Sequence, residues 1–476
     1  MIHTWQSNHL KKLELANVDA GDIAVCGSFA GGEPILPGLD PARVSFVAPL
    51  DSRSDLEWLL RGLLLHPNIH HLILCGDDLR VSGEALLALW LEGLDESGRI
   101  PGGRGPLSDE ISADSIERLR SGIQLHDCRG RPPGELQDAM RELATAAGER
   151  QAETPAEVEI PERKVFLSRK TSFPIYANDL GDSWLQLLNL TLRIGSEKHT
   201  SEGEALTEAL NVIVTVGLPV IAEDLEVEVE PPEAFPSYFE FNREDFERYY
   251  QRFEGPTHTS PKNDDSPRLR SRGGRDRIEE VCDRLQKSLD LQSATVVLLE
   301  PSDLTDSGLA PNTISATFNV VDEKLYGSFV LRSADLYNDW PLEAMALIRL
   351  QHDVAGRLGL EAGAATFVIH AAHLYQRDWV RSERVLRQAF KRPLPLQVDH
   401  SGVFLFGNDK GEARGMLLDH DAATIFWEDA FSSPVELSWY IVDAMPWLLP
   451  QHIRYVGQEC ASLQHAMQAE ECYLQG

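Results

Sequence analysis

Between Asp22 and about Gly148 short apolar runs alternate with helical patterns. IAVCGS, RVSFVAPL, HHLILCGDDL and IQLHDCRG have the length and β-branched content of strands. SRSDLEWLLRGLLLHP, SGEALLALWLEGL, SADSIERLRSG and PPGELQDAMRELATAAG place apolar residues at helical spacing. Strands alternating with helices predict a mostly parallel sheet covered by helices, an α/β domain of Rossmann-like layout over residues 1–148. Ser54 can cap the helix that opens with DLEWLL, and Asp114 or Ser115 the helix IERLRS, because each offers a side-chain oxygen to the first-turn amides.

Residues 149–163, ERQAETPAEVEIPER, hold two prolines and five glutamates and predict a linker or solvated edge. From 164 to 476 the pattern resumes with a helix DSWLQLLNLTLRIG and a strand-like run ALNVIVTVGLPVIA. The helix IEEVCDRLQKSL, strands ATVVLLEP, ISATFNVV and LYGSFVLRS, the long helix PLEAMALIRLQHDVAGRLG and the strand AATFVIHAAHLY follow. The chain closes with an α-rich stretch around a strand pair, VFLFGNDKGEARGMLLD. Between them, residues 255–277 are polar and turn-rich, end in arginines 268, 270, 272, 275 and 277, and predict a mobile loop. No internal repeat is visible.

At 476 residues the chain predicts two or three domains. A formal net charge of −31 argues against a surface built for phosphate backbones, so no nucleic-acid partner is expected. Six cysteines without a C-x-x-C pair suit reduced thiols in a cytoplasmic protein. No apolar run approaches the roughly 18 to 20 residues of a membrane-spanning helix, so no membrane partner is expected either.

The segment from Tyr326 to Trp379 resembles the thymidylate synthase family, in its archaeal branch. That family carries Arg-Ser-x-Asp-x-Tyr-Gly-x-Trp-Pro-x-Asn and, further on, His-x-Tyr-x-x-Asp-Trp. Arg332, Ser333, Asp335, Tyr337, Trp340, Pro341, His373, Tyr375, Asp378 and Trp379 stand at matching places, and weaker similarity covers residues 165–460. The resemblance implies an α+β domain that dimerises through a sheet face, and hence a homodimer. It also implies a pyrimidine-nucleotide site with Arg332 and Ser333 on the phosphate, His373 and Tyr375 on the sugar, and Asp335 among the binding residues. The residue types suit those tasks: a forked cation beside a hydroxyl fits a phosphate, and two side chains two apart on a strand share one face.

The departures change the expected chemistry. The family's nucleophilic cysteine, whose thiolate adds to C6 of the ring, aligns with Asn312, and an amide cannot perform that addition. Two arginines that the family contributes to the partner's phosphate align with Gln292 and Ser293. The asparagine that reads the pyrimidine edge aligns with Glu343, whose ionised form only accepts hydrogen bonds and so favours an amino-bearing ring. Cys282 occupies an apolar helical position, and Cys460 and Cys472 lie near the chain's end.

The expectation is therefore one-carbon transfer to a ring other than dUMP, with Glu343 as acid or base and Asn312 at the cysteine position. The alternatives are a nucleotide-binding sensor or assembly subunit, and a purely structural domain with Glu343 ion-paired. The one-carbon donor would be a reduced folate or methanopterin.

The first domain resembles the corrinoid-carrying A subunit of tetrahydromethanopterin S-methyltransferase, through LHPNIHHLILCGDDL and GEALLALWLEGLDESGRIPGGRGPL. In that subunit a histidine shortly after Cys-Gly binds cobalt, whereas here Cys75-Gly76 leads into DDLRVSGEAL, which has none. His66, His70 and His71 form no spacing that completes a metal site and are expected as loop and strand-start residues.

Overall fold

The computed structural model describes residues 14–15, 17, 20–28, 40–50, 53–76, 82–95, 98–101, 104–107, 111–131, 133–145, 148–153, 163, 165–200, 205–217, 241, 246–247, 249–250, 276–300, 303, 311–390 and 401–475. The chain divides into two compact units, Met1–Gly217 with Val227–Lys391, and Leu218–Glu226 with Arg392–Gly476. The expected mobile loop at 255–277 lies outside the described residues except for Asp276 and Arg277, which open a helix.

The first sheet of the larger unit contains β1 (Glu14–Leu15), β2 (Ile23–Ser28), β3 (Val44–Pro49) and β4 (His71–Gly76). Its helices are α1 (Arg53–Leu65), α2 (Ser82–Glu92), α3 (Ala113–Gly122) and α4 (Pro133–Glu142). A ribbon of β5 (Arg99–Ile100) and β6 (Arg104–Pro106) precedes the last strand, β7 (Gln124–Asp127). The order is β1-β3-β2-β4-β7, with β3, β2, β4 and β7 parallel and β1 antiparallel at the edge. Among the parallel strands the chain order is second, first, third, fourth, the flavodoxin-type winding that reverses once, between β2 and β4. Apolar residues cover both faces of this sheet: Ala24, Leu72 and Leu74 on one, Val25, Val44 and Ile73 on the other. That explains the continuous apolar runs.

Two capping expectations change. Ser112, one residue before α3, caps that helix by accepting from the Ser115 amide at 3.1 Å, in place of Asp114 or Ser115. α1 begins at Arg53, so Ser54 lies inside its first turn.

The described part of 149–163 is pinned by side chains. The Arg150 guanidinium donates to the carbonyls of Ile69 (2.8 Å), Leu63 (2.8 Å) and His66 (3.0 Å). Glu153 accepts from Ser115 at 2.6 Å and pairs with Arg118. Arg163, with its side chain 5% exposed, donates to the Gly195 carbonyl at 3.1 Å and lies over the Trp379 ring.

The second sheet is built from β8 (Thr171–Ala177), β9 (Ser196–His199), β10 (Ala205–Val216), β11 (Thr295–Val297), β12 (Thr313–Val321), β13 (Lys324–Leu331), β14 (Ala334–Asp335) and β15 (Glu361–Tyr375). Its main order is β11-β12-β13-β15-β10-β8, with β14 paired to β15 and β9 to β10. With it go α5 (Leu180–Ile194), α6 (Arg277–Lys287), α7 (Trp340–Leu358) and α8 (Trp379–Ala389). Asp179 caps α5, and Trp184, Leu187, Leu188 and Leu192, at helical spacing, enter the shared core. Trp340 meets Phe367 edge-on at 4.9 Å, and Phe367 stacks on Phe329 at 5.2 Å. α8 joins α1 through a buried ion pair of Arg381 with Glu57.

Asn211 decides which face the end of the sheet presents. Its φ of 51° interrupts β10, so Val212, Val214 and Val216 point into the core beyond it, whereas Ala209 does so before it. The paired strand switches likewise, from Phe367 and Ile369 to Ala372 and Leu374. His373 and Tyr375 are thereby turned out of the core.

The smaller unit is an antiparallel sheet of β16 (Val403–Asp409), β17 (Glu412–Leu418) and β18 (Ile425–Phe431), with α9 (Pro434–Ala444) and α10 (Pro450–Ala469). β18 adds a third strand to the expected pair. Phe404, Leu437, Ile441, Val456 and Leu463 form its core.

Candidate functional site

β12 and β13 form a hairpin joined by Asp322 and Glu323, both at positive φ (50° and 61°), a two-residue turn of type I′ shape. Its open end sets Asn312 against Arg332, with the Arg332 amide donating to the Asn312 carbonyl at 2.7 Å. The side chains converge there too. Asn312 Oδ1 accepts from Arg332 Nη2 at 3.1 Å and from Ser333 Oγ at 3.4 Å, while Arg332 Nε reaches the Pro311 carbonyl at 3.4 Å. The residue expected at the cysteine position thus holds both groups expected on a phosphate.

Glu343 sits in the first turn of α7, where the helix dipole favours a carboxylate. It is buried, and its Oε1 accepts from the Thr313 hydroxyl at 2.7 Å. Thr313 follows Asn312 directly, so the hairpin end and the helix start meet at one corner.

Asp335 is folded into the turn that launches α7. Its Oδ1 accepts from the amides of Tyr337 (3.1 Å) and Asn338 (3.2 Å), and its Oδ2 from the Asn338 side chain at 2.9 Å. Asn338 also donates to the fully buried Asp378, at 3.2 Å. Trp184 Nε1 donates to the Leu336 carbonyl at 2.7 Å and ties the turn to α5. Asp335 thus shapes the turn that launches α7.

His373 and Tyr375 lie ring edge to ring face at 5.1 Å on the last turn-out of β15, and the Arg377 guanidinium covers Tyr375 at 4.3 Å. In the strand register His373 stands between Asp335 on β14 and Glu208 on β10. Directly opposed residues share a face, so the three side chains leave the same side of the sheet, with the Asp335 carboxylate committed to its own turn. Glu208 pairs with Lys198 of β9. Neither residue had been singled out in the sequence, because only the register of β10 against β15 brings them to the site.

Cys26, Cys75, Cys128, Cys282 and Cys460 are buried, and Cys472 is exposed. Burial pushes the Cys75 thiol up to about 12 and the Cys460 thiol up to about 11, so both stay protonated near neutrality. His71, the first residue of β4, is 3.2 Å from His126 through ring nitrogens. Among the described residues no group of three or more His, Cys, Asp or Glu gathers to hold a metal ion, and no helix is long and apolar enough to cross a membrane.

Residues 238–404, which include the whole corner from Asn312 to Tyr375, match the family described as thymidylate synthase. This part of the chain is thymidylate-synthase-like. Residues 398–476 match a second family, PterinBD-DUF4346. Proteins named "Putative thymidylate synthase" are similar to the chain over 45% of its length. The one from Methanothermobacter thermautotrophicus is 27% identical over 224 residues, 99% of its own length. Those from Methanosarcina acetivorans and Methanococcoides burtonii are 28% and 26% identical over 219 residues, 94% of each. Most of the thymidylate synthase match falls on the larger unit, in its second sheet, and the PterinBD-DUF4346 match falls on the smaller unit.

Proposed function

We propose that the thymidylate synthase domain binds an amino-bearing pyrimidine on its sugar and transfers a one-carbon unit to that ring without a protein thiolate. The observation that carries this reading is the buried Thr313–Glu343 pair beside Asn312. An ionised carboxylate offers acceptors only, which suits an exocyclic amino group and opposes a carbonyl. An amino group donating to a carboxylate also enriches the ring at C5, which does part of what thiolate addition does elsewhere. His373 and Tyr375 hold the sugar. Arg332 and Ser333 mark the phosphate end.

The one-carbon donor fits a reduced folate or methanopterin, which when bound would supply the activated carbon. The support is the PterinBD-DUF4346 match and the aromatic surface of that unit. Trp427 and Tyr440 stack at 5.7 Å with 17° between their planes, Phe431 abuts Tyr440 at 5.0 Å, and Trp439 is 71% exposed. Flat heteroaromatic rings stack on such surfaces. This donor unit favours transfer over a purely sensing or assembly role.

A homodimer follows from the same family likeness. Leu210, Ile213 and Val297 are exposed on the second sheet's face opposite its helices, 37%, 41% and 52% accessible. Such a face suits a second copy of the chain. Sedimentation at micromolar concentration tests it.

A thermal-shift panel of deoxycytidine, deoxyuridine, their monophosphates and a reduced folate tests the ligand. Stabilisation by the amino-bearing rings over the carbonyl-bearing ones supports the reading. Equal response to both, or to neither, removes it.

A further inference from the structure

Asn312 does more than lack a thiol. Arg332 and Ser333 direct two donors, Nη2 and Oγ, at one point, and that point is occupied by Asn312 Oδ1 at 3.1 and 3.4 Å. An oxygen of a bound phosphate shared between these donors would have to take the same place. The Asn312 backbone carbonyl accepts the Arg332 amide at 2.7 Å, so the hairpin end holds the amide side chain over the pair. Among the described residues no carboxylate pairs with Arg332, which keeps the guanidinium from being drawn away from Asn312.

Resting on the reading that this corner holds an amino-pyrimidine, we propose that Asn312 is a built-in occupant of the phosphate seat, so that the site takes the unphosphorylated nucleoside and gains little from a 5′-phosphate. The amide oxygen is a neutral acceptor that mimics one phosphate oxygen. A phosphate must displace it and break two hydrogen bonds before forming its own. Arg332 is exposed, so the charge-assisted contacts a phosphate would gain are worth little more than those it replaces. The aligned places of the family's other two phosphate arginines hold Gln292 and Ser293, which add no cation. Selectivity then falls on the ring and sugar, where Glu343 and His373 are placed.

The test is calorimetric titration of the full chain with deoxycytidine and with deoxycytidine 5′-monophosphate, in wild type, Asn312→Ala and Asn312→Asp. Wild type should bind the two within about tenfold of each other. Asn312→Ala should raise the ratio of monophosphate to nucleoside affinity by about tenfold, since one net hydrogen-bond competitor is removed. Asn312→Asp places a carboxylate against Arg332 and should lower that ratio by about tenfold. Thermal melts of both variants confirm that they fold, and the opposite directions expected of them cannot both arise from damage. A wild type that prefers the monophosphate by a hundredfold, or variants that leave the ratio unmoved, overturn the proposal while the pocket reading stands. Binding of neither ligand by any of the three overturns the pocket reading, and the proposal with it.

Discussion

Two ends of the site are built by different means. At the end proposed for the sugar, His373 and Tyr375 owe their placement to backbone: the register of β15 against β10 and β14, and the flip at Asn211 that turns them out of the core. At the corner proposed for the ring and phosphate, side-chain hydrogen bonds join Thr313 to Glu343 and join Arg332 and Ser333 to Asn312. Register is shared by a whole strand and resists single substitutions, whereas a side-chain pair can be exchanged without disturbing a strand. The chemistry of such a domain can therefore change at the corner while the scaffold and the sugar end persist.

The scaffold should show the largest single effect. Trp184 is fully buried and its indole N–H supports the carbonyl beside the Asp335 turn. Trp184→Ala should cost about 3–5 kcal/mol, read from urea unfolding. A loss under 1 kcal/mol would mean that the turn is not held from α5.

Corner substitutions should move preference and spare stability. Glu343→Gln keeps shape and an acceptor for Thr313, so unfolding should change by less than about 1 kcal/mol. The new amide opposes an amino group, and affinity for deoxycytidine relative to deoxyuridine should fall by about 10- to 100-fold in calorimetry. Turnover of an amino-bearing substrate should vanish. A ratio that stays constant would leave Glu343 with a structural role only.

A single hydroxyl at the sugar end should matter less. Tyr375→Phe is expected to weaken nucleoside binding by about tenfold without altering the preference between rings. If ring preference shifts with it, the two ends are coupled and the contrast between them fails.

Much of this was legible in one sequence. The alternation of apolar runs and helices from Asp22 gives the parallel sheet, and the spacing of His373 and Tyr375 gives two side chains on one face. What stayed hidden depends on distance along the chain. Glu208 meets His373 only through strand pairing, and Glu57 meets Arg381 across 324 positions. The flip at Asn211 reverses the inward parity of two strands, and no periodicity rule anticipates a left-handed asparagine inside a β-branched run. The expected caps Asp114 and Ser115 lost to Ser112 because three neighbouring side chains could each serve, and the backbone picked the first.

The smallest expected effect is none, and it tests the absence of thiolate chemistry at the corner. Thiolate is the reactive form of cysteine, and burial keeps the thiols of Cys75 and Cys460 protonated at neutral pH. Iodoacetamide at neutral pH should therefore label Cys472, the exposed thiol, and spare the buried ones, as peptide mass spectrometry would record. Deoxycytidine binding and turnover should be unchanged after labelling, because Asn312 and Glu343 carry no sulfur. Loss of turnover that deoxycytidine protects against would place a thiol at the ring, return the domain to covalent activation through C6, and erase the distinction between its two ends.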